Sequence, residues 1–318
     1  LITPWEFGSV PMEWYDNQDK VEEFWVPSNY VKDCLINSGI KKEKVHTIPN
    51  GFNHYIYGPN KAKYQLRTKK RFKFLFVGGL IHRKGIDLLL KSYCELFNQS
   101  DDVCLVVKHF GSNDIYKNNY LELILQYQKD TNCPEIELID SDLSDSEMAS
   151  LYRACDILVH PYRGEGFGLP MLESMASGVP VIATSGGPSD DFLDDYTGYK
   201  IKSELTNLPL KLDDNIELVS NGFMLNPDID HLKQLMLRCY KSVTDEIQRK
   251  GELSYIKVNK SYRWINSKHL IHDRLIAITN KIHNNEDNAD TLPKKTDKLS
   301  VPNVASIGNL SQIIDAYQ

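Results

Sequence analysis

The sequence predicts an α/β fold built on a parallel sheet, and three observations carry that expectation. From about Arg71 onward, short apolar runs alternate with amphipathic segments, as a parallel sheet covered on both faces requires. Glycine-rich loops follow two of the apolar runs, where open α/β sheets hold ligands. The chain has 318 residues, of which 41% are hydrophobic and 25% charged, ample for a buried core in one large or two medium domains.

Taken in order, 23–27 reads as a strand, Ser28 as the cap of a helix reaching about Asn37, and Gly39 as its stop. A second strand at 44–48 closes on the turn Pro49-Asn50-Gly51. This front unit is too small to stand alone. Further strands are expected at 72–77, 103–107, 136–139, 156–160 and 179–184, with helices near 86–97, 116–127, 145–154 and 169–177. Residues 203–227 read as irregular, 228–250 as one long helix, and Tyr262-Arg263-Trp264 as the start of a last helix to about Ile282. From Asn284 the composition turns to Asn, Asp, Lys and Thr, which reads as a linker and tail.

Two segments carry chemistry. In the first, Glu165-Gly166-Phe167-Gly168-Leu169-Pro170-Met171-Leu172-Glu173, two carboxylates lie eight residues apart around a turn into a helix. Gly166 and Gly168 permit close backbone approach, and Pro170 suits a first helical turn. The amides there face a ligand with the positive end of the helix, which favours phosphate or sugar oxygens. Ionised carboxylates accept hydrogen bonds, so both glutamates suit a hydroxyl-rich partner. The second segment, 72–86, runs from a strand through Gly78-Gly79 to Arg83-Lys84-Gly85. Two cations at a helix start are electrostatically poor for the helix and are explained by an anionic ligand.

The stretch EGFGLPMLESMASGVPVIAT resembles the donor-site signature of retaining family 4 glycosyltransferases, two-domain enzymes of the GT-B fold. The resemblance implies that Glu173 binds the ribose hydroxyls of a nucleotide-sugar, and that Glu165, Gly166, Phe167, Gly168 and Leu169 hold the transferred sugar. FVGGLIHRKGIDLL is similar to the first strand and loop of the family's donor domain, which gives Lys84 the leaving diphosphate and makes Arg83 its helper, beside Gly79. Many members carry an arginine where this chain has Gly79. Either Arg83 supplies that charge or the diphosphate is held less tightly. WVPSNYVKDCLINSGI and IPNGFN resemble the end of the first domain and the hinge, so most of that domain is expected to be missing. The domain expectation is therefore a remnant and hinge at 1–60, a donor domain at 61–262, a crossing helix at 263–283 and a tail at 284–318.

A net charge of −6 and a pI near 5.9 argue against a nucleic-acid binder. The six cysteines show no C-x-x-C spacing and read as reduced thiols, with neither a disulfide scaffold nor a zinc site. No apolar stretch is long enough to span a bilayer. The expectation is a cytoplasmic protein that can lie at a membrane surface. Asp140-Ser141-Asp142 and Asp228-Ile229-Asp230 match a D-x-D metal spacing but sit beside caps or loops, so no metal and no cofactor are expected. His160 reads as a satisfied core histidine. The expected function is transfer of a sugar from a nucleoside-diphosphate donor to an acceptor hydroxyl on a glycan, lipid or small molecule. The competing readings are a sugar-nucleotide epimerase or phosphorylase of related fold, and a donor-binding module without turnover.

Overall fold

At the front of the chain, helix α1 (Met12–Asp16) precedes strand β1 (Phe24–Val26), helix α2 (Asn29–Asn37) and strand β2 (Val45–Thr47), with β1 and β2 parallel. The computed structural model describes residues 1–109, 120–212, 215–242 and 244–289. Ser28 caps α2 by accepting the Val31 amide at 3.2 Å, and Gly39 ends it at φ +90°. Phe24, Val26, Val31, Leu35 and Ile40 form a small separate core that is closed by Leu218 from far along the chain.

The main sheet begins with β3 (Phe72–Val77), β4 (Val103–Lys108) and β5 (Glu135–Ile139), and continues with β6 (Ile157–His160), β7 (Val181–Thr184) and β8 (Gly198–Ile201). All six strands are parallel, in the order β5-β4-β3-β6-β7-β8. Helices α3 (Ile86–Leu96), α4 (Leu121–Lys129), α5 (Asp145–Ala154) and α6 (Leu169–Ala176) connect them. The period of two along β3 divides the core. Phe72, Phe74 and Phe76 meet Ile86, Leu89 and Leu90 of α3, while Leu75 and Val77 share the opposite layer with Leu151 of α5 and Met171 of α6. Each of these side chains is buried, and each such burial contributes about 1.5–3 kcal/mol. Helix α5 starts at a capping box, Ser144 with Glu147, which explains why its boundaries were legible.

Several expectations need correction. The stretch 203–227 is not irregular throughout: β9 (Ser203–Asn207) and β10 (Phe223–Pro227) pair antiparallel. Strand β9 is polar and mostly exposed, so it lacks the apolar alternation that marks a strand. The expected long helix is two, α7 (Ile229–Lys241) and α8 (Thr244–Ser261), with Ser242 leaving helical backbone at ψ 140°. Strand β8 carries only two strongly apolar residues, and Gly198 stands where a Cβ would lie 2.5 Å from the Val181 carbonyl oxygen. The expected helix at 116–127 begins, among the described residues, at Leu121; 116–119 lie outside them.

The cysteines also depart from expectation. Cys34, Cys104, Cys155 and Cys239 are free and buried, but Cys94 and Cys133 are joined in a disulfide with Cα atoms 4.8 Å apart. The two are 39 residues apart, brought together by the end of α3 and the turn before β5, a proximity no local spacing reveals.

Leu1–Ser267 forms one compact unit, and the described residues from Lys268 onward belong to a second. Helix α9 (Trp264–Ala289) runs past the point where a linker was expected, and 290–318 lie outside the described residues.

Candidate functional site

Strand order reverses between β3 and β6: the chain steps outward one way from β3 and the other way from β6. The loops after these two strands therefore diverge and leave a crevice at their carboxyl ends, the general ligand position of open α/β sheets. Both segments singled out in the sequence end there. The loop after β3 passes Gly78 and Gly79, makes a single turn of 3-10 helix at His82–Lys84, and enters α3 through Gly85 at φ +72°. A Cβ on Gly85 would lie 1.9 Å from the Pro161 carbonyl oxygen, so glycine is required where the two loops touch.

Arginines staple the loops. The amides of Arg163 and Gly164 donate to the Arg83 carbonyl at 2.8 and 3.3 Å. Arg83 Nη1 donates to the Gly164 carbonyl at 3.0 Å and lies 3.4 Å from Glu6 Oε1. Arg163 grips Asp87 with both Nη atoms, at 2.8 and 2.7 Å, and also donates to the His82 carbonyl. This fork holds the Asp87 carboxyl below its usual range against the opposing effect of burial. Arg163 and Asp87 were missed in the sequence, since they sit beside the motifs and carry no distinctive spacing.

Lys84 Nζ hydrogen-bonds Glu165 Oε2 across the crevice floor. Glu165 is 8% exposed, yet Lys84 and the neighbouring His160 outweigh burial and hold its carboxyl well below the ordinary glutamate range. It is ionised at any working pH. His160 at the end of β6 is fully buried, with its ring stacked on Phe76 at 5.8 Å and Nε2 3.6 Å from Glu165 Oε2. Among the described residues neither ring nitrogen makes a direct hydrogen bond, Glu165 being its nearest charged neighbour, so the core histidine expected is buried without being satisfied. Burial lowers its pKa and keeps the ring neutral near pH 7.

Gly168 caps α6 in the left-handed region at φ +92°, and its carbonyl accepts the Met171 amide at 2.9 Å. The amides of Phe167, Gly168 and Leu169 find no acceptor among the described residues, and the Gly166 amide donates to Glu165 Oε1 at 3.2 Å. A helix start with open amides beside a lysine is chemically suited to an anion. Ser28 Oγ donates to the Gly166 carbonyl at 2.7 Å, so the cap of α2 is fastened to this loop. Gly79 sits at the exit of β3 with its carbonyl accepting the Ile81 amide, and brings no charge.

Glu173 belongs to a different network. The Tyr152 hydroxyl donates to its Oε2 at 2.8 Å, and the nearby Tyr57 phenol also favours the ionised carboxyl. Burial outweighs both tyrosines and pushes the Glu173 pKa up to about 7. The structure thus brings Lys84, Glu165 and the α6 amides together, ties Arg83 to loop backbone, and sets Glu173 between two tyrosines. Tyr57 and Tyr152 were not singled out in the sequence. Asp228 caps α7 and Asp230 pairs with Lys233, and the described residues hold no cluster of three or more His, Cys, Asp or Glu that could hold a metal. A cavity of about 400 Å³ lies by the amino end of β5, lined by Lys70, Gln99, Gln128 and Cys133, away from the carboxyl strand ends where open sheets hold ligands.

Among the described residues, no helix is long and apolar enough to cross a membrane. Comparison with known proteins shows what the chain resembles as a whole. An uncharacterized glycosyltransferase from Methanocaldococcus jannaschii is 33% identical over 197 residues, covering 61% of this chain and 48% of that protein. Mannosylfructose-phosphate synthase from Agrobacterium fabrum is 28% identical over 162 residues, 49% of this chain and 36% of that one. The chain thus spans about half or less of the length of these relatives. Among solved structures, sucrose-phosphate synthase from Thermosynechococcus elongatus superposes with a TM-score of 0.64 at 19% identity, covering 82% of this chain and 61% of that one. HepE from Anabaena, in complex with UDP-glucose, gives 0.63 at 15% identity over 80% of this chain and 64% of that one. The fold is accordingly that of GT-B glycosyltransferases. The profile of the family described as Glycosyl transferases group 1 matches residues 59–217, half of the chain, and the chain belongs to that family.

Proposed function

We propose that the crevice binds a nucleoside-diphosphate sugar and that the chain transfers the sugar to an acceptor hydroxyl with retention of configuration. The observation that carries this reading is the meeting, at the reversal of strand order, of Lys84, Glu165 and the open amides of Phe167, Gly168 and Leu169. The UDP-glucose bound by the HepE neighbour supports the class of donor.

In this reading Lys84 and the start of α6 hold the diphosphate and stabilise the charge that grows on it as the sugar departs, the kind of interaction that usually contributes most to catalysis. Arg83 keeps the lysine loop against Gly164 and adds positive charge beside it. Glu165 orients Lys84 and, with the backbone of Gly166 to Leu169 and the loop at Gly79, receives the sugar hydroxyls. Held ionised, Glu165 has no proton to give and is unsuited to the general-acid role of a hydrolase carboxyl. A diphosphate oxygen then takes the acceptor's proton on the face that the leaving group vacates. Glu173 accepts hydrogen bonds from the ribose.

The test supplies UDP-, GDP- and ADP-sugars with glycan, lipid and small-molecule acceptors and reads the anomeric configuration of the product by NMR. A retained glycoside is expected, with kcat/KM reduced about 10²- to 10³-fold in Lys84→Ala. An inverted product would contradict retention. An epimerised donor without any glycoside would contradict transfer.

A further inference from the structure

In the donor-site reading, on which this inference rests, Glu165 has Lys84 as its counter-charge, and the same lysine has to serve the diphosphate. His160 stands beside that pair without a task. It ends β6, is 0% exposed, and holds Nε2 3.6 Å from the same Glu165 Oε2 that Lys84 reaches. Its ring is held by Phe76, stacked at 5.8 Å with an 18° tilt, and by Tyr162 at 5.8 Å. Both nitrogens lack a hydrogen bond among the described residues, an arrangement that costs stability and that phenylalanine or leucine would avoid if packing were the only requirement. An imidazole set beside a carboxylate it does not yet bond is placed to become charged when that carboxylate loses its lysine.

We propose that His160 is a positioning residue for the donor: it takes up a proton from solvent as the diphosphate draws Lys84 toward itself, and the imidazolium, donating from Nε2 to Glu165, replaces the lysine as that carboxylate's counter-charge and keeps it aimed at the sugar.

The charged and titratable groups that face the ring come from two loops. Lys84 and Arg83, after β3, disfavour the imidazolium, and Glu165, after β6, favours it. Tyr162 is held neutral by burial, and its hydroxyl is bonded to Thr184 and Ser189. The flanking strands bring Phe76 of β3 and Ala183 of β7, which do not titrate. Without donor, burial prevails and the ring is neutral. A bound diphosphate adds negative charge beside Lys84 and Arg83, offsets their effect on the ring, and leaves Glu165 to attract the proton. With the bound-state pKa of His160 above that of the free protein, the gain in affinity is full below the free-state value and fades as pH rises through the bound-state value.

The experiment titrates UDP-glucose, GDP-mannose and ADP-glucose into the protein by calorimetry and repeats the tightest in buffers of low and high ionisation enthalpy, from about pH 6 to about pH 8, where these donors do not titrate. The dependence of the heat on the buffer counts the protons taken up. Glu173 also titrates near neutrality, so the proposal is read from differences between proteins that all carry it. His160→Gln and His160→Phe should take up about half a proton fewer than wild type near neutral pH, and the affinity advantage of wild type over each should fall about four- to tenfold from the acid to the alkaline end. Lost packing would instead weaken binding alike at every pH. An equal proton count in all three proteins would place the proton elsewhere and overturn the proposal. Nitrogen NMR of the wild-type histidine rings needs no variant and decides if the substitutions fail to fold: one ring should pass from neutral to charged on adding donor at neutral pH, and if none does the proposal is wrong while the donor site stands. If none of the three donors binds wild type, the donor-site reading falls and the role of His160 with it.

Discussion

Glu165 and Glu173 flank the same turn into α6, eight residues apart, yet the crevice floor and the α5–α6 interface treat them in opposite ways. On the floor, Lys84 gives Glu165 a full counter-charge, so the carboxyl ionises more readily than in water despite burial. At the interface, Glu173 meets neutral phenols and the like charge of Asp145, and burial wins. The difference teaches that being buried does not set the charge state of a carboxyl; the partner does. One end of the motif is built to stay charged, and the other titrates near neutrality.

The largest effect that could break this contrast is removal of the counter-charge. Lys84→Ala leaves Glu165 buried without its partner and should cost about 3–5 kcal/mol of stability at neutral pH, read from denaturant midpoints. The linkage follows from the lowered pKa. Glu165 contributes stability above its ordinary value of 4.5 and loses that contribution as pH falls toward the folded-state value, so the cost of Lys84→Ala should shrink in acid. A cost independent of pH would remove the proposed cause.

A site remote from both carboxylates serves as the control. Reducing the Cys94–Cys133 disulfide, or replacing both cysteines by alanine, opens a cross-link between residues 39 apart and should lower stability by about 2–4 kcal/mol. Nucleotide affinity and its pH dependence should stay as in wild type. A shift in either would mean that this end of the sheet is coupled to the crevice.

Glu173 gives the opposite sign. With its folded-state pKa raised to about 7 from 4.5, it contributes stability that is full below 4.5 and lost as pH rises through 7. Between these limits, the stability difference between Glu173→Gln and wild type should move in favour of the variant by about 2–3 kcal/mol. Thermal melts across pH check this, and a difference that moves the other way would assign the raised pKa wrongly.

The smallest effect concerns the turn joining the two carboxylates. Gly168→Ala forces a side chain into the left-handed region at φ +92°, and should cost about 1–2 kcal/mol. The new Cβ would meet the Met171 methyl at 2.0 Å, a flexible group that can move aside, so backbone conformation should dominate. Chemical denaturation measures it, and a neutral substitution would show that the turn does not need glycine.

The contrast between the two carboxylates was only half legible in sequence. Strand β3 and helix α5 fall on the expected residues because an apolar run between turn signals and a capping box are local signals. Lys84 and Glu165 were legible as members of two motifs, and strand order then brought them together. Tyr57 and Tyr152 were not: 95 residues separate them, and each resembles any other aromatic in a core-forming segment. A different limit hid the pairing of β9 with β10, since the mostly exposed residues of β9 carry no apolar rhythm. His160 was legible as buried, but its missing hydrogen bonds depend on which groups surround it in space.

The central claim is that Lys84, Glu165 and the start of α6 form one diphosphate site. Calorimetric titration of UDP, GDP and ADP into wild type and Lys84→Ala tests it most directly. The account predicts that at least one diphosphate binds wild type, and that Lys84→Ala weakens it about tenfold or more while the matching nucleoside monophosphate loses much less. Equal binding of the diphosphate by both proteins would contradict it.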